Sequence, residues 1–514
     1  MAAKLLMGVD IGTYSSKGLL ATPEGKVIAQ ATVEHEMAIP RPGWAEHDPE
    51  RTWWGEFVAI SRALLNQSRS KGSEVAGVAV SAIGPCVVPV GPDGRALRQG
   101  ILYGIDTRAT AEIAELNDCY GSEAMYSRGG SMLTTQAAGP KIMWLKRHQP
   151  EIYNATAYFH SASDYIVLHL TGAHVMDAYT ASSYNPLFDL QASSWSDEFA
   201  GKIVDVERLP PVRWASEIAG EVTKDAGQET GLAPGTPVTV GTVDAVAEAV
   251  SVGAIHPGDL MCMYGTTTFF ILAVDRVASH PAMWAVYHAL PGLYGVAAGM
   301  ATTGALTRWF RDNFARDLLS PREESGNAYG ILAQEAAEVP PGSLGLVVLP
   351  YFSGERTPIN DPDARGVMCG LTLAHVRGHV YRAVLEGTSY GIAHNLEVMR
   401  ESGAEAKRIV AVGGGAKNPL WLQIVSDVSD VPQQIPDQTI GASYGDAFLA
   451  GYATGVIPSL DILDSSWVRI DRTIEPDEKA YSLYRDYYAV YRKLYLDTIS
   501  DQHTLAALGQ RANL

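Results

Sequence analysis

The chain has 514 residues, 46% hydrophobic and 19% charged, the composition of an ordinary globular protein long enough for two domains with full cores. Its formal net charge of −18 argues against a DNA or RNA binder, which needs a basic face, and against docking on an anionic membrane. Cys86, Cys119, Cys262 and Cys369 show no paired spacing, so neither a disulfide framework nor a thiolate metal cluster is expected, and a reducing cytoplasm fits. The apolar run at the N-terminus is too short for a signal peptide, and no transmembrane run of about 18 apolar residues occurs.

In chain order, Leu5–Val9, Lys17–Ala21 and Val27–Thr32 read as a β-meander, with a turn at Pro23-Glu24-Gly25. Residues 49–71 read as a helix whose apolar face carries Trp53, Trp54, Phe57, Ile60, Leu64 and Leu65. Val75–Val80 is a buried strand, and residues 109–118 and 140–149 are helices. After a turn-rich region over 190–240, Gly235–Gly241 returns to a strand and Ala245–Val252 reads as a helix. The second half repeats the logic, with strands near 259–264, 269–274 and 294–298 and helices at 302–315, 374–400, 418–429 and 441–454. A tyrosine-rich amphipathic helix over 477–498 reads as a packing helix. The predicted domains are 1–246 and 247–514.

One turn occurs twice. Asp10-Ile11-Gly12-Thr13 and Tyr264-Gly265-Thr266-Thr267 each follow an apolar strand and lead into another. Glycine lets the backbone approach an anion, and the hydroxyls add donors, so the pair predicts two similar halves around one phosphate chain. Asp10, at a strand end beside such a turn, is a candidate Mg²⁺ ligand. Asp244, in Gly241-Thr242-Val243-Asp244, sits between a strand and a helix and is a candidate general base on a hydroxyl nucleophile. Gly413-Gly414-Gly415-Ala416-Lys417-Asn418 follows the strand Arg408–Val412 and suits a nucleotide lying on the backbone. Neither a dinucleotide GxGxxG nor a GxxxxGK[ST] loop is present, which disfavours a Rossmann dehydrogenase and a P-loop kinase. Histidines such as His35, His47, His160, His256 and His379 have no metal-ligand spacing and read as surface or packed residues.

These residues, with Gly366-Val367-Met368-Cys369-Gly370-Leu371 followed after seven residues by His379-Val380-Tyr381-Arg382-Ala383-Val384-Leu385-Glu386, resemble the FGGY carbohydrate kinases over about residues 5–495. Leu349–Pro358 and Asp361–Gly366 also fit that pattern, as do Lys141, Trp144 and Leu145, whereas Ala138 stands where Pro, Ser or Thr is usual. The resemblance implies an α/β fold of two duplicated ribonuclease H-like (actin-like ATPase) domains, each a mixed sheet flanked by helices, with an interdomain active-site cleft. It implies ATP-dependent phosphorylation of a sugar or polyol hydroxyl with ATP and Mg²⁺, and it is compatible with a homodimer. By the same resemblance, Asp244 matches the catalytic base and Asp10 the Mg²⁺-associated carboxylate, while Gly12, Thr13, Gly265, Thr266, Gly304, Gly414, Gly415 and Asn418 match the nucleotide and phosphate positions.

For the sugar, Gly84, Pro85, Tyr103, Asp106, Asp10 and Asp244 are the candidate contacts. Xylulokinases usually carry Gln-Met-His-Gly where this chain reads Ile83-Gly84-Pro85-Cys86, so Pro85 replaces the histidine that contacts the ketose. The length and Gly43-Trp44-Ala45-Glu46 are xylulokinase-like, which makes a pentulose such as D-xylulose the first expectation. Gluconate, ribulose, glycerol or another polyol is the alternative within the class, and an actin- or Hsp70-like nucleotide switch is the alternative outside it.

Overall fold

The computed structural model describes residues 4–319 and 326–512. The chain forms two compact units: Met1–Pro257 with Ala273–Gly295 and Gln438–Arg469, and Gly258–Leu272 with Val296–Asp437 and Ile470–Leu514. Where the sequence predicts a single cut after residue 246, the units therefore interleave.

In the first unit, the strands lie in the order Ile218–Glu221, Pro237–Thr239, Val75–Ala82, Leu5–Ile11, Ser15–Ala21, Val27–Glu34. Leu5–Ile11 runs antiparallel to Ser15–Ala21 and parallel to Val75–Ala82. The central strands are nearly continuous apolar runs because both faces are covered, and Leu6, Met7, Val9, Ile11, Val78 and Val80 are all buried. In the second unit, the order Tyr294–Met300, Thr268–Val274, Asp259–Tyr264, Arg408–Val412, Gln433–Pro436 repeats the same plan. With the edge strands Ile218–Glu221, Trp284–Tyr287 and Ile470–Ile474 set aside, both sheets counted along the chain read third, second, first, fourth, fifth. Each Gly-Thr turn occupies the hairpin between the first and second strands of its sheet, so the repeat seen in the sequence is a repeat of architecture.

Most predicted elements keep their type and shift only at their ends. The helix expected at 374–400 spans Arg377–Glu401, and the tyrosine-rich helix extends over Glu478–Ala512. The helix expected over 49–71 opens as a π-turn at Pro49–Trp54, capped by Asp48, before the α-helix Gly55–Ser68. The FGGY-like segment splits between a short strand, Val367–Cys369, and the start of the long helix. There Arg382 donates to Glu386 at 2.8 Å, and Glu386 also accepts from Tyr484 at 2.9 Å.

The helix Ala442–Ala453 belongs by sequence position to the second half, yet it covers strand Leu5–Ile11 of the first sheet and packs beside the helix Asp244–Ser251. Small residues permit this approach. A Cβ on Gly8 would fall 1.9 Å from the Ser443 carbonyl oxygen, and one on Gly445 would fall 2.0 Å from that of Ala247. Gly8→Ala is therefore expected to push the helix off the strand and cost about 1–3 kcal/mol as overpacking. The check is a lower urea midpoint with an unchanged m-value.

Candidate active site

Strand register brings the acidic residues together. In the first sheet Asp10 pairs with Ser81, and Ser81 with Thr242, so three strand ends lie level. Two residues beyond Thr242, Asp244 opens the helix Asp244–Ser251, with Glu248 one turn later on the same face. Asp446, in the first turns of Ala442–Ala453, completes a group of four carboxylates drawn from the same unit.

The Oγ of Ser81 lies 3.1 Å from Asp10 Oδ1 and 2.7 Å from Asp446 Oδ2. A hydroxyl has one proton to give, so it can serve only one carboxylate at a time. Asp446 is fully buried, and burial pushes its carboxyl well above the usual range, with the Asp10 and Asp244 charges adding to the effect. Ser81 thus lies between the two carboxyls and donates to one of them at a time. The Oδ1 of Asp446 is buried with no partner among the described residues.

Burial also raises Asp10 to about 6, against a lowering by the Ser81 hydrogen bond and by Lys17, its cross-strand partner. Asp244 is raised to about 8, first by burial and then by the Asp10 charge, although its Oδ1 accepts the Ala245 N–H at 2.7 Å. Glu248 is raised to about 7, again by burial first and Asp10 second. Carboxyls poised around neutrality can take up or release a proton at the pH where an enzyme works.

Of the remaining candidates in this unit, Gly12 and Thr13 form the hairpin turn beyond Asp10, and the Thr13 hydroxyl lies 3.1 Å from that of Tyr103. Gly84 packs on Val243, where an added Cβ would come within 2.8 Å, which places it beside the Asp244 segment. Pro85 is buried and Tyr103 only partly so. Lys141, fully buried, holds the Tyr103 loop by donating to the Leu102 and Tyr103 carbonyls at 2.7 and 2.8 Å.

Asp106 departs from expectation. Its carboxylate is enclosed by Arg108, at 2.7–3.0 Å, and by the Ala45 N–H at 2.7 Å, and its side chain has no exposed surface. Both oxygens serve the scaffold, so Asp106 is not a sugar contact. Arg108 also reaches Glu46 at 2.8 Å and lies 4.0 Å over the Trp44 ring, which ties the Gly43–Glu46 segment to this loop.

In the second unit, Gly265 and Thr266 dock on the start of the helix Gly304–Phe314. The Gly304 N–H donates to the Gly265 carbonyl at 3.1 Å, and that of Ala305 to the Thr266 carbonyl at 2.9 Å. A Cβ on Gly304 would stand 2.3 Å from the Gly265 oxygen, so only glycine allows the contact. Gly413 follows the neighbouring parallel strand, has φ +90°, and lies against Tyr264. Gly414 has open space where a side chain would begin, and Gly415 lies against the Trp421 ring. Asn418 caps the helix Pro419–Ser429 through its Oδ1, which accepts from Leu420 and Trp421 at 3.1 and 3.2 Å. The Thr302 hydroxyl is buried with no partner among the described residues. Glycine-lined space and an orphan donor beside two turns fit a phosphate-bearing nucleotide.

No preformed group of three metal-ligating side chains occurs among the described residues. Asp10, at a strand end beside the Gly12 turn, is the residue expected from the sequence to hold Mg²⁺, an ion commonly held by one or two carboxylates plus phosphate and water oxygens. No helix of the described residues is long and apolar enough to cross a membrane. Sequence reasoning missed Ser81, Glu248 and Asp446. Glu248 is legible as Asp244 plus one helical turn, but no local signal links Asp446 to Asp10.

Comparison with known proteins agrees with this geometry. The model of the N-terminal domain of the FGGY family of carbohydrate kinases matches residues 5–251, and that of the C-terminal domain matches residues 260–454. The chain is 32% identical to the xylulose kinase of Rhodospirillum rubrum, whose crystal structure superposes with a TM-score of 0.91 over 97% of this chain and 100% of that one. It is 27% identical to the xylulose kinase of Staphylococcus epidermidis over 97% of this chain and 98% of the relative. It is 29% identical to the glycerol kinase of Nocardia farcinica over 92% and 94% respectively. The chain belongs to the FGGY family of carbohydrate kinases.

Because Asp10, Asp244, Glu248 and Asp446 keep their protons to higher pH in the folded chain than in the unfolded one, the folded state binds more protons between about pH 4 and about pH 8. These groups therefore favour folding at acid pH, and that contribution is lost as pH rises through their folded values. In the absence of nucleotide, the melting temperature is expected to decline more steeply from pH 5 to pH 8 in the wild type than in Asp446→Asn. Parallel profiles for the two proteins would contradict the assignment.

Proposed function

We propose that this protein transfers the terminal phosphoryl group of ATP to a hydroxyl of a pentulose such as D-xylulose, with Asp244 as general base and Asp10 as the carboxylate that holds Mg²⁺. The observation that carries this reading is Asp244 itself: a half-buried carboxyl at a strand–helix junction, raised to about 8, beside Asp10 and the Gly84 loop. When bound, MgATP supplies the phosphoryl group and spreads its negative charge over metal and backbone donors.

The residues of the first unit do the rest of the proposed work. Asp244 accepts the proton of the attacking sugar hydroxyl as the bond to phosphorus forms. The Tyr103 hydroxyl is tethered to that of Thr13, which joins the proposed sugar loop to the phosphate turn. Ser81 donates to Asp10 and so favours its ionised form for the metal. In the second unit, Gly265, Thr266, Gly304, Gly414 and Gly415 are the proposed nucleotide contacts. Asn418 contributes through its amide N–H, because its oxygen is committed to the helix cap. The proposed domains are 1–246 for sugar and Mg²⁺ and 247–514 for nucleotide, with Ala442–Ala453 built onto the first sheet.

Pro85 favours keeping a second reading. It has no polar side chain to read a ketose, and the 29% identity to a glycerol kinase falls between the 27% and 32% to the two xylulose kinases. A coupled ADP-release assay across D-xylulose, D-ribulose, gluconate and glycerol decides between them: D-xylulose is expected to give the highest kcat/KM, and a glycerol or gluconate maximum would replace it. Asp244→Asn is expected to lower kcat by about 10²–10⁴-fold, the usual worth of a general base. ATP affinity measured by calorimetry should stay within a few-fold. Near-normal turnover in that variant removes Asp244 from the mechanism.

A further inference from the structure

Two histidines that the sequence reads as packed or surface residues bear on the back of the first Gly-Thr turn. His35 Nε2 lies 3.2 Å from the Gly12 carbonyl oxygen, and His47 Nε2 lies 3.1 Å from that of Thr13. A carbonyl only accepts, so both Nε2 atoms carry protons and donate. For His47 the tautomer is fixed from the other side. Trp53 Nε1–H, which only donates, points at His47 Nδ1 at 3.3 Å, and Trp53 is fully buried. Burial also lowers His47 to about 4, so it stays neutral and keeps this single tautomer. His35 is oriented by Glu56, whose Oε2 lies 2.9 Å from its Nδ1 and accepts the Ser16 hydroxyl at 2.6 Å. The two rings meet edge to face, with centroids 4.9 Å apart.

The peptide unit is planar and trans, so a carbonyl and the N–H of the following residue point in opposite directions. Turning the Gly12 and Thr13 carbonyls toward the histidines turns the Thr13 and Tyr14 N–H groups away from them. Neither N–H has an acceptor among the described residues, whereas the Gly12 N–H is used within the turn by the Ser15 carbonyl at 3.0 Å. Two consecutive free N–H groups form an anion-binding concavity.

We infer that His35 and His47 are positioning residues that clamp two successive carbonyls of the Gly12-Thr13 turn and so aim the Thr13 and Tyr14 N–H groups at a phosphate oxygen of the substrate. This rests on the kinase reading above for which phosphate is bound. It adds that the geometry of the turn is set from outside, by groups that touch no ligand.

The test compares His47→Gln, His47→Leu and His35→Leu with the wild type. Glutamine keeps an amide donor for the Thr13 carbonyl and an acceptor for Trp53, whereas leucine keeps neither. His47→Leu and His35→Leu are each expected to lower kcat and raise the KM for ATP, with kcat/KM for ATP down about tenfold and the sugar KM within twofold, the scale of one misplaced hydrogen bond. His47→Gln is expected to retain most of the wild-type kcat. A folded His47→Leu with wild-type kinetics, or a His47→Gln as impaired as His47→Leu, overturns the clamp. If His47→Leu does not fold, His35→Leu and His47→Gln bear the same test. If the wild type turns over no sugar in the panel, the kinase reading fails on its own terms. The clamp is then judged by calorimetric affinity for a non-hydrolysable MgATP analogue, expected to weaken about tenfold in the leucine variants and to hold in His47→Gln, and unchanged affinity in all three overturns it.

Discussion

The first unit is organised around an electrostatic constraint. Four carboxyls, Asp10, Asp244, Glu248 and Asp446, share a poorly solvated strand end, and like charges so placed cannot all ionise. The fold resolves this by ranking them. Burial raises Asp446, wholly enclosed by helix and strand, well above the usual carboxyl range, and Ser81 couples it to Asp10, which also feels Lys17 from the next strand. Asp244, raised to about 8, stands above Asp10 at about 6 because the Asp10 charge adds to its burial.

This ranking depends on backbone contacts only glycine allows. Gly8 and Gly445 bring the helix Ala442–Ala453 onto the central strand and against the helix that begins at Asp244. Without that approach Asp446 would lie further from Ser81, and the Ser81 hydroxyl would no longer link it to Asp10. Packing density and protonation state are thus one property of this corner of the molecule.

Duplication gave the two units the same sheet plan and different chemistry at the equivalent turn. In the first unit the turn follows a carboxylate and is backed by histidines, whereas in the second it docks on the N-terminus of Gly304–Phe314 and faces a run of glycines. The first arrangement suits a metal and a reacting hydroxyl, and the second suits the phosphates and body of a nucleotide. The Tyr103 loop is set by a third device, the Arg108–Asp106–Glu46 ion group with Lys141 behind it, which fixes its backbone.

Much of this was legible in the residues alone. Strand and helix types follow from apolar periodicity, because a buried strand and an amphipathic helix each write their own pattern into a short window. The paired Gly-Thr turns, Asp10 and Asp244 are likewise local, since each lies at a strand end announced by its neighbours. Asp106 misled because an acidic residue in a loop reads the same whether it meets a ligand or an arginine, and only the enclosing Arg108 and Ala45 N–H decide. Asp446 and His47 were invisible for a different reason: their partners, Ser81 and the Thr13 carbonyl, lie far away in the chain or carry no side-chain signature. The sequence by itself determined which elements form, that they form twice, and which residues could do the chemistry. The tertiary structure decided which helix covers which sheet and which carboxyls are buried together, because those outcomes depend on distances between segments that no local pattern encodes.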